Sequence, residues 1–171
     1  MKRSIHFKGK PFSLKGSLPA VGSKASSFSL VNSRMEKKSL EDFKEKIKII
    51  ATVPSLDTPV CLLSAKKLAE QAALFSDVVF IVISADLPFA QNRSCLAENL
   101  DKLELLSTLG SPQFAEHYGI AIDDSPLQGL CARAIFVLSP DNQICYRELV
   151  DELSSEPNYE KAYQAVQDLR K

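Results

Sequence analysis

Residues 77–84 read DVVFIVIS, an almost continuous β-branched run. A strand with one face in water alternates apolar and polar residues. One with no polar alternate has to be covered on both faces, which places it at the centre of a sheet between two layers. Its apolar part, VVFIVI at 78–83, is the longest strongly apolar stretch in the chain, and a membrane-spanning helix needs roughly 18 such residues. With 171 residues, 45% of them hydrophobic, the chain is long enough for one sizeable core and short for two, so a single domain over 1–171 is expected.

On either side of this strand the apolar period switches between that of a strand and that of a helix. IHFKGKPFSL (5–14) alternates around a Gly-containing turn and predicts a short hairpin, and SFSLV (27–31) is a further candidate strand. Ser39 followed by LEDF, with Asp42 as its acidic partner, predicts a capped short helix, and KIKIIAT (46–52) predicts a buried strand. PVCLLSAKKLAEQAALF (59–75) sets Val60, Leu63, Ala65, Leu68, Ala72 and Phe75 close to helical spacing, with Lys66, Lys67, Glu70 and Gln71 on the other side. LPFAQNRSCLAENL is polar and helix-prone, LELLST (103–108) reads as a strand, and SPQFAEHY as a short helix closed by Gly119. ARAIFVL (132–138) and QICYREL (143–149) flank the turn signal PDN and should pair; NYEKAYQAVQDLRK carries Tyr159, Ala162, Tyr163, Val166 and Leu169 on one stripe and predicts a terminal helix. This order predicts an α/β fold: a thioredoxin-like three-layer α/β/α sandwich with a mixed central sheet and an N-terminal β-hairpin. A fold licenses no activity by itself.

The 21 basic and 21 acidic residues cancel, leaving no bulk field to hold a polyanion or an anionic membrane, so neither nucleic acid nor membrane is expected as a partner. The N-terminal MKRSIHFKGKPF lacks the apolar stretch of a secretion signal, so a cytoplasmic location is expected. The four cysteines, Cys61, Cys95, Cys131 and Cys145, are separated by 34, 36 and 14 positions and form no CxxC pair. Only His6 and His117 could add imidazole, so neither a metal site nor a cofactor is expected, and both histidines read as solvated or locally bonded, as does the Lys-rich RMEKKS turn (34–39). Each cysteine is a small buried hydrophobe unless its position argues otherwise.

At residues 54–61, PSLDTPVC, position does argue otherwise. Thr58 is a preferred N-cap and Pro59 suits the first helical position, which puts Cys61 at the third. There its sulfur can meet free backbone N–H groups and the positive end of the helix, two influences that favour the thiolate, the nucleophilic form. The Thr58 hydroxyl can point at the same sulfur, and Pro54 can shield it from water. For a lone Thr-Pro-x-Cys, a plain helix start with Cys61 packed inward beside Leu62 and Leu63 is the better fit.

The wider pattern decides between them. PxxxTxxC after a hydrophobic strand and opening a long helix resembles the active-site signature of the peroxiredoxins, and ISADLPFAQNRSC, GLCARAIFVLSPDNQI and LVDELSSEPNYEKA resemble the thiol peroxidase subfamily, bacterial peroxiredoxins of the atypical two-cysteine type. The likeness runs along essentially the whole chain. It implies a peroxidatic Cys61, a motif threonine at Thr58, a solvent-limiting Pro54 and an active-site arginine at Arg133, at the start of the ARAIFVL strand. It further implies that Cys95 is the resolving cysteine, that an intrachain Cys61–Cys95 disulfide forms and is reset by thioredoxin, that hydrogen peroxide and organic hydroperoxides are the substrates, and that the protein is a homodimer. Because the disulfide needs Cα atoms within about 7 Å, the segments around both cysteines are expected to unwind locally. Cys131, two residues from Arg133, is expected on the same strand face, either as an auxiliary thiol at the pocket rim or as packing; Cys145 reads as structural. The competing readings are a thiol-disulfide oxidoreductase, whose CxxC is absent, and a non-catalytic redox-responsive interaction or holdase module.

Overall fold

A computed structural model describes residues 3–171. The chain opens with the antiparallel hairpin β1 (Ser4–Phe7) and β2 (Lys10–Lys15), followed by β3 (Leu30–Asn32), β4 (Lys37–Lys38) and a 3-10 turn at Leu40–Phe43. Then come β5 (Ile47–Thr52), α1 (Pro59–Ala72), β6 (Val78–Ser84), α2 (Pro88–Glu98), β7 (Glu104–Ser107), α3 (Gln113–His117) and β8 (Ala121–Ile122). The hairpin of β9 (Ala134–Leu138) and β10 (Ile144–Leu149) and the terminal α4 (Tyr159–Leu169) complete it.

Seven strands form one mixed sheet in the order β10-β9-β5-β6-β7-β3-β4, with β5, β6 and β7 parallel and the rest antiparallel to their neighbours. The β-branched run is its middle strand. Phe80 and Val82 of β6 pack with α1 and α4 on one face; Ile81 and Ile83 pack with α3 and the N-terminal hairpin on the other. A second sheet, β1-β2-β8, lies on that latter side, so the outer layer there is hairpin plus helix.

Three local expectations are corrected. SFSLV is a strand only from Leu30, because Phe28 turns inward to stack edge-on against Phe114 (5.5 Å between centroids) and the Ser29 carbonyl takes the Ser111 hydroxyl. The helix over 59–75 ends at Ala72, and Phe75 leaves the helical path to stack on Tyr163. Its buried face is Cys61, Ser64, Ala65, Leu68 and Ala69, with Leu63 exposed and Val60 only half-buried. Helical period alone ranked apolar over polar residues; here Ser64 is buried because its hydroxyl is hydrogen-bonded to Tyr159 at 2.6 Å.

Three further details follow the local chemistry. The Asp42 carboxylate accepts from the Ser39 amide at 2.7 Å and holds the start of the 3-10 turn as a capping residue should. Within RMEKKS, Lys37 and Lys38 form the short edge strand β4 instead of a turn, with Glu36 near Arg34 and Lys38. Lys48 is buried with the rest of β5, and its ammonium reaches the Pro140 and Ser139 carbonyls at 3.0 and 3.4 Å. Burial pushes its pKa down.

Ile81 at the centre of the sheet is 1% exposed. Ile81→Ala is expected to cost about 2–5 kcal/mol, read as a lowered urea midpoint at unchanged slope.

Candidate active site

Sheet register brings distant residues of the chain together. β9 runs antiparallel to β5 and starts with Ala134 opposite Thr52, the last residue of β5. The residue before β9, Arg133, therefore lies beside the residues after β5, where the chain turns into α1. The Thr52 hydroxyl donates to the Ala132 carbonyl at 2.8 Å and ties the two together.

Thr58 is the N-cap of α1, with extended φ −109 and ψ 145, and Pro59 follows at the first helical position. The Leu62 amide donates to the Thr58 carbonyl at 3.0 Å, so the amides of Val60 and Cys61 belong to the free first turn. Cys61 is 1% exposed and Arg133 2%. The Arg133 Nη2 donates to Cys61 Sγ at 3.3 Å and to the Leu153 carbonyl at 3.0 Å, while Nε donates to that same carbonyl at 3.2 Å. Nη1 is buried without a protein partner. The sulfur thus faces a cationic donor and sits in the open first turn of α1.

The Thr58 hydroxyl differs from expectation: it donates to the Ser55 carbonyl at 2.9 Å. Its proton is thereby committed, and the oxygen offers lone pairs to whatever enters. Pro54 is buried in the wall beside it. A cavity of about 310 Å³ opens over these groups. Phe7, Val60, Leu127, Leu130 and Leu153 give it apolar walls, with Thr58, Arg133, Ser55 and Ser154 as polar points.

The structure thus brings Cys61, Thr58, Pro54 and Arg133 to one cavity. Cys95 does not line it. It sits half-buried in the last turn of α2, where burial first and the Asp101 charge second push its thiol pKa up. All four cysteines are free thiols. Among the described residues no group of His, Cys, Asp and Glu could hold a metal ion.

For Cys131 the expected shared strand face is corrected, while its reading as packing fits the structure. β9 begins only at Ala134, so the shared-face argument fails; Cys131 forms an isolated bridge with Ala121 and is fully buried in the core cluster, away from the cavity. Burial pushes its pKa up to about 12, with the Asp86 charge adding to it. Cys145 is half-buried, its thiol donating to the Gln143 carbonyl at 3.4 Å. His6 is locally bonded to Asp151 at 3.2 Å, and His117 is exposed.

Residue-by-residue reading missed the Leu153 carbonyl, which orients the guanidinium, and Ser64–Tyr159–Glu156, which pins α1 one turn beyond Cys61. A backbone acceptor has no side-chain signature. The Glu156–Tyr159 spacing does appear within SEPNYEKA, but nothing local names Ser64 as its partner.

Arg133→Met is expected to slow alkylation of Cys61 at pH 7 about tenfold, the worth of one hydrogen bond to a charged group, measured with iodoacetamide. On the folded wild type at pH 9, Cys131 is below its pKa of about 12 and therefore protonated, so mass mapping after the same treatment is expected to find it unmodified.

Comparison with known proteins places this geometry. The Redoxin family model matches residues 20–163. A thiol peroxidase of Leptospira interrogans is 42% identical over 164 residues, covering 95% of this chain and 96% of the relative. One from Bacillus subtilis is 42% identical over 167 residues, covering 98% of each. Among solved structures, a peroxiredoxin-like protein from Aquifex aeolicus superposes with TM-score 0.92 at 36% identity over 98% of this chain and 97% of that one. A thiol peroxidase from Chromobacterium violaceum gives 0.90 at 25% identity over 96% and 95%. With a cysteine at the mouth of α1, a buried guanidinium on its sulfur and relatives matched from end to end, this chain belongs to the Redoxin family and, within it, to the thiol peroxidases.

Proposed function

We propose that this chain is a thiol peroxidase that reduces hydroperoxides at Cys61, carried by one observation: a buried Arg133 Nη2 at 3.3 Å from Cys61 Sγ, at the base of an apolar-walled cavity. The thiolate attacks the terminal peroxide oxygen, the O–O bond breaks, and the leaving oxygen departs as water or an alcohol after taking a proton. Cys61 is left as a sulfenic acid. Arg133 has one donor on the sulfur and an unpartnered Nη1 free to bind a peroxide oxygen, so its charge meets the negative charge as it moves from sulfur to the leaving group. The Thr58 oxygen, its proton held by Ser55, accepts the hydroperoxide O–H.

The sulfenic acid then condenses with the Cys95 thiol, losing water and giving the intrachain disulfide. A dithiol reductant, thioredoxin, exchanges with it and restores both thiols. Cys95 does not line the cavity that Cys61 lines, which supports local unwinding of both helix ends as the route to this step. The apolar walls suit organic hydroperoxides besides hydrogen peroxide. One continuous sheet with its flanking layers supports a single working domain over the whole chain. A cytoplasmic homodimer belongs to the same reading; no helix among the described residues is long and apolar enough to cross a membrane.

In a coupled assay with thioredoxin, Cys61→Ser is expected to abolish hydroperoxide consumption. Cys95→Ser is expected to keep the first, stoichiometric consumption and lose steady turnover. No consumption by wild type would favour the interaction or holdase reading. Leu130→Ser is expected to raise KM for cumene hydroperoxide about tenfold, on the scale of lost apolar contact, with hydrogen peroxide changed less than about twofold.

A further inference from the structure

One carboxylate holds the approach to Cys61 from outside its own helix. β6 ends at Ser84, and Asp86 stands half-buried in the corner that leads into α2. Its Oδ1 accepts from the Ser55 hydroxyl at 2.6 Å; its Oδ2 accepts from the Leu56 amide at 2.8 Å and the Ser84 hydroxyl at 2.7 Å. The corner is itself anchored. The Asp86 carbonyl takes the Ser107 hydroxyl at 2.6 Å, and Gln91 of α2 donates to Ser84 Oγ at 3.0 Å and to the Leu106 carbonyl at 2.9 Å. Two of the three bonds to the carboxylate thus cross from a fixed corner to the loop before α1, and bonds to an ionised acceptor are the strong kind. On the far side, Ser64 is pinned to Tyr159. Residues 57–63, with Cys61 inside them, are the stretch between the two anchors, to which the exposed Asp57–Arg93 pair at 3.1 Å adds a weaker tie to α2.

We infer that Asp86 is a positioning residue for the Cys61 reaction: through Ser55 and Leu56 it straps the Pro54–Ser55 wall of the cavity in place and opposes the unwinding that brings Cys61 to Cys95. The inference rests on the condensation proposed above. Once formed, the sulfenic acid has two fates. It loses water with the Cys95 thiol to give the disulfide, or it takes an oxygen from a second hydroperoxide, which leaves as water or alcohol, and becomes sulfinic acid. While Ser55 and Leu56 are strapped, Cys61 stays in the cavity that the second hydroperoxide enters. With the strap released, the first turn leaves sooner. Asp86 therefore sets the partition between the two products.

The test mixes the reduced full chain with graded hydrogen peroxide, quenches it, and determines by peptide mass spectrometry the peroxide concentration at which half of Cys61 is sulfinic. Asp86→Asn is expected to raise that concentration about tenfold, the worth of one charge-assisted hydrogen bond. Ser55→Ala, which removes only one crossing bond, should shift it in the same direction and carries the test if the Asn variant does not fold. Ser84→Ala removes a bond to the same carboxylate together with the Gln91 and Asp86-amide bonds to Ser84 Oγ, all within the corner, which stays held through Ser107 and the Leu106 carbonyl; it should shift it less than about twofold. Asp86→Asn and Ser55→Ala at the wild-type value, or Ser84→Ala shifted as far as they are, would overturn the strap while leaving the peroxidase reading intact. A wild type that forms no Cys61–Cys95 disulfide would overturn the condensation and the strap together.

Discussion

A guanidinium taken out of water is tolerable only where protein groups replace its hydration, and this constraint organises the mouth of α1. Arg133 is buried to 2% exposure, and two of its donors converge on one backbone carbonyl, that of Leu153. A neutral carbonyl brings no countercharge, and the Glu156 carboxylate supplies one through Coulombic attraction. The Cys61 sulfur, at hydrogen-bond distance from Nη2, adds to the groups that replace the guanidinium's water.

The elements that hold this pair come from opposite ends of the chain. β5 delivers α1 and Cys61; β9, antiparallel beside it, delivers Arg133 at the same level. The Leu153 carbonyl is fixed in turn by the N-terminal hairpin. The Leu153 amide donates to the His6 carbonyl at 2.8 Å, the His6 amide to the Asp151 carbonyl at 2.6 Å, and the Glu152 carboxylate accepts from the Lys8 amide at 3.2 Å. These bonds and its neighbours hold the Glu152 carboxyl at a pKa of about 2, with Ser154 the leading cause. The hairpin lies before residue 20, where the family model begins to match. It is nonetheless part of the site, both through this support and through Phe7 in the cavity wall.

Much of this was legible in the sequence for physical reasons that can be named. The β-branched run at 78–83 had to be a central strand because it offers no polar face, and Thr58-Pro59 had to open a helix because both residues fit the unsatisfied first turn. What stayed illegible depends on partners far away in sequence. Lys48 looks like an exposed alternate in KIKIIAT, and only the carbonyls of Ser139 and Pro140 allow its burial. Ser64 is buried against the helical apolar stripe because Tyr159 lies 95 positions away. The Thr58 hydroxyl bonds Ser55 because the loop tightens around it, a matter of backbone geometry that residue types do not encode. Asp86 sat in plain view within ISADLP, but its importance lies in what it accepts from across the corner.

The two buried thiols separate burial from reactivity. Cys61 and Cys131 are 1% and 0% exposed, so desolvation alone would treat them alike. Cys131 lies in the apolar cluster with the negative Asp86 as its nearest influential charge, and both effects oppose ionisation. Cys61 has a helix mouth on one side and a guanidinium on the other, and a cavity through which a small molecule can arrive. Burial first and the Asp86 charge second raise the Cys131 thiol pKa, and that same carboxylate accepts the two bonds that hold the loop before Cys61.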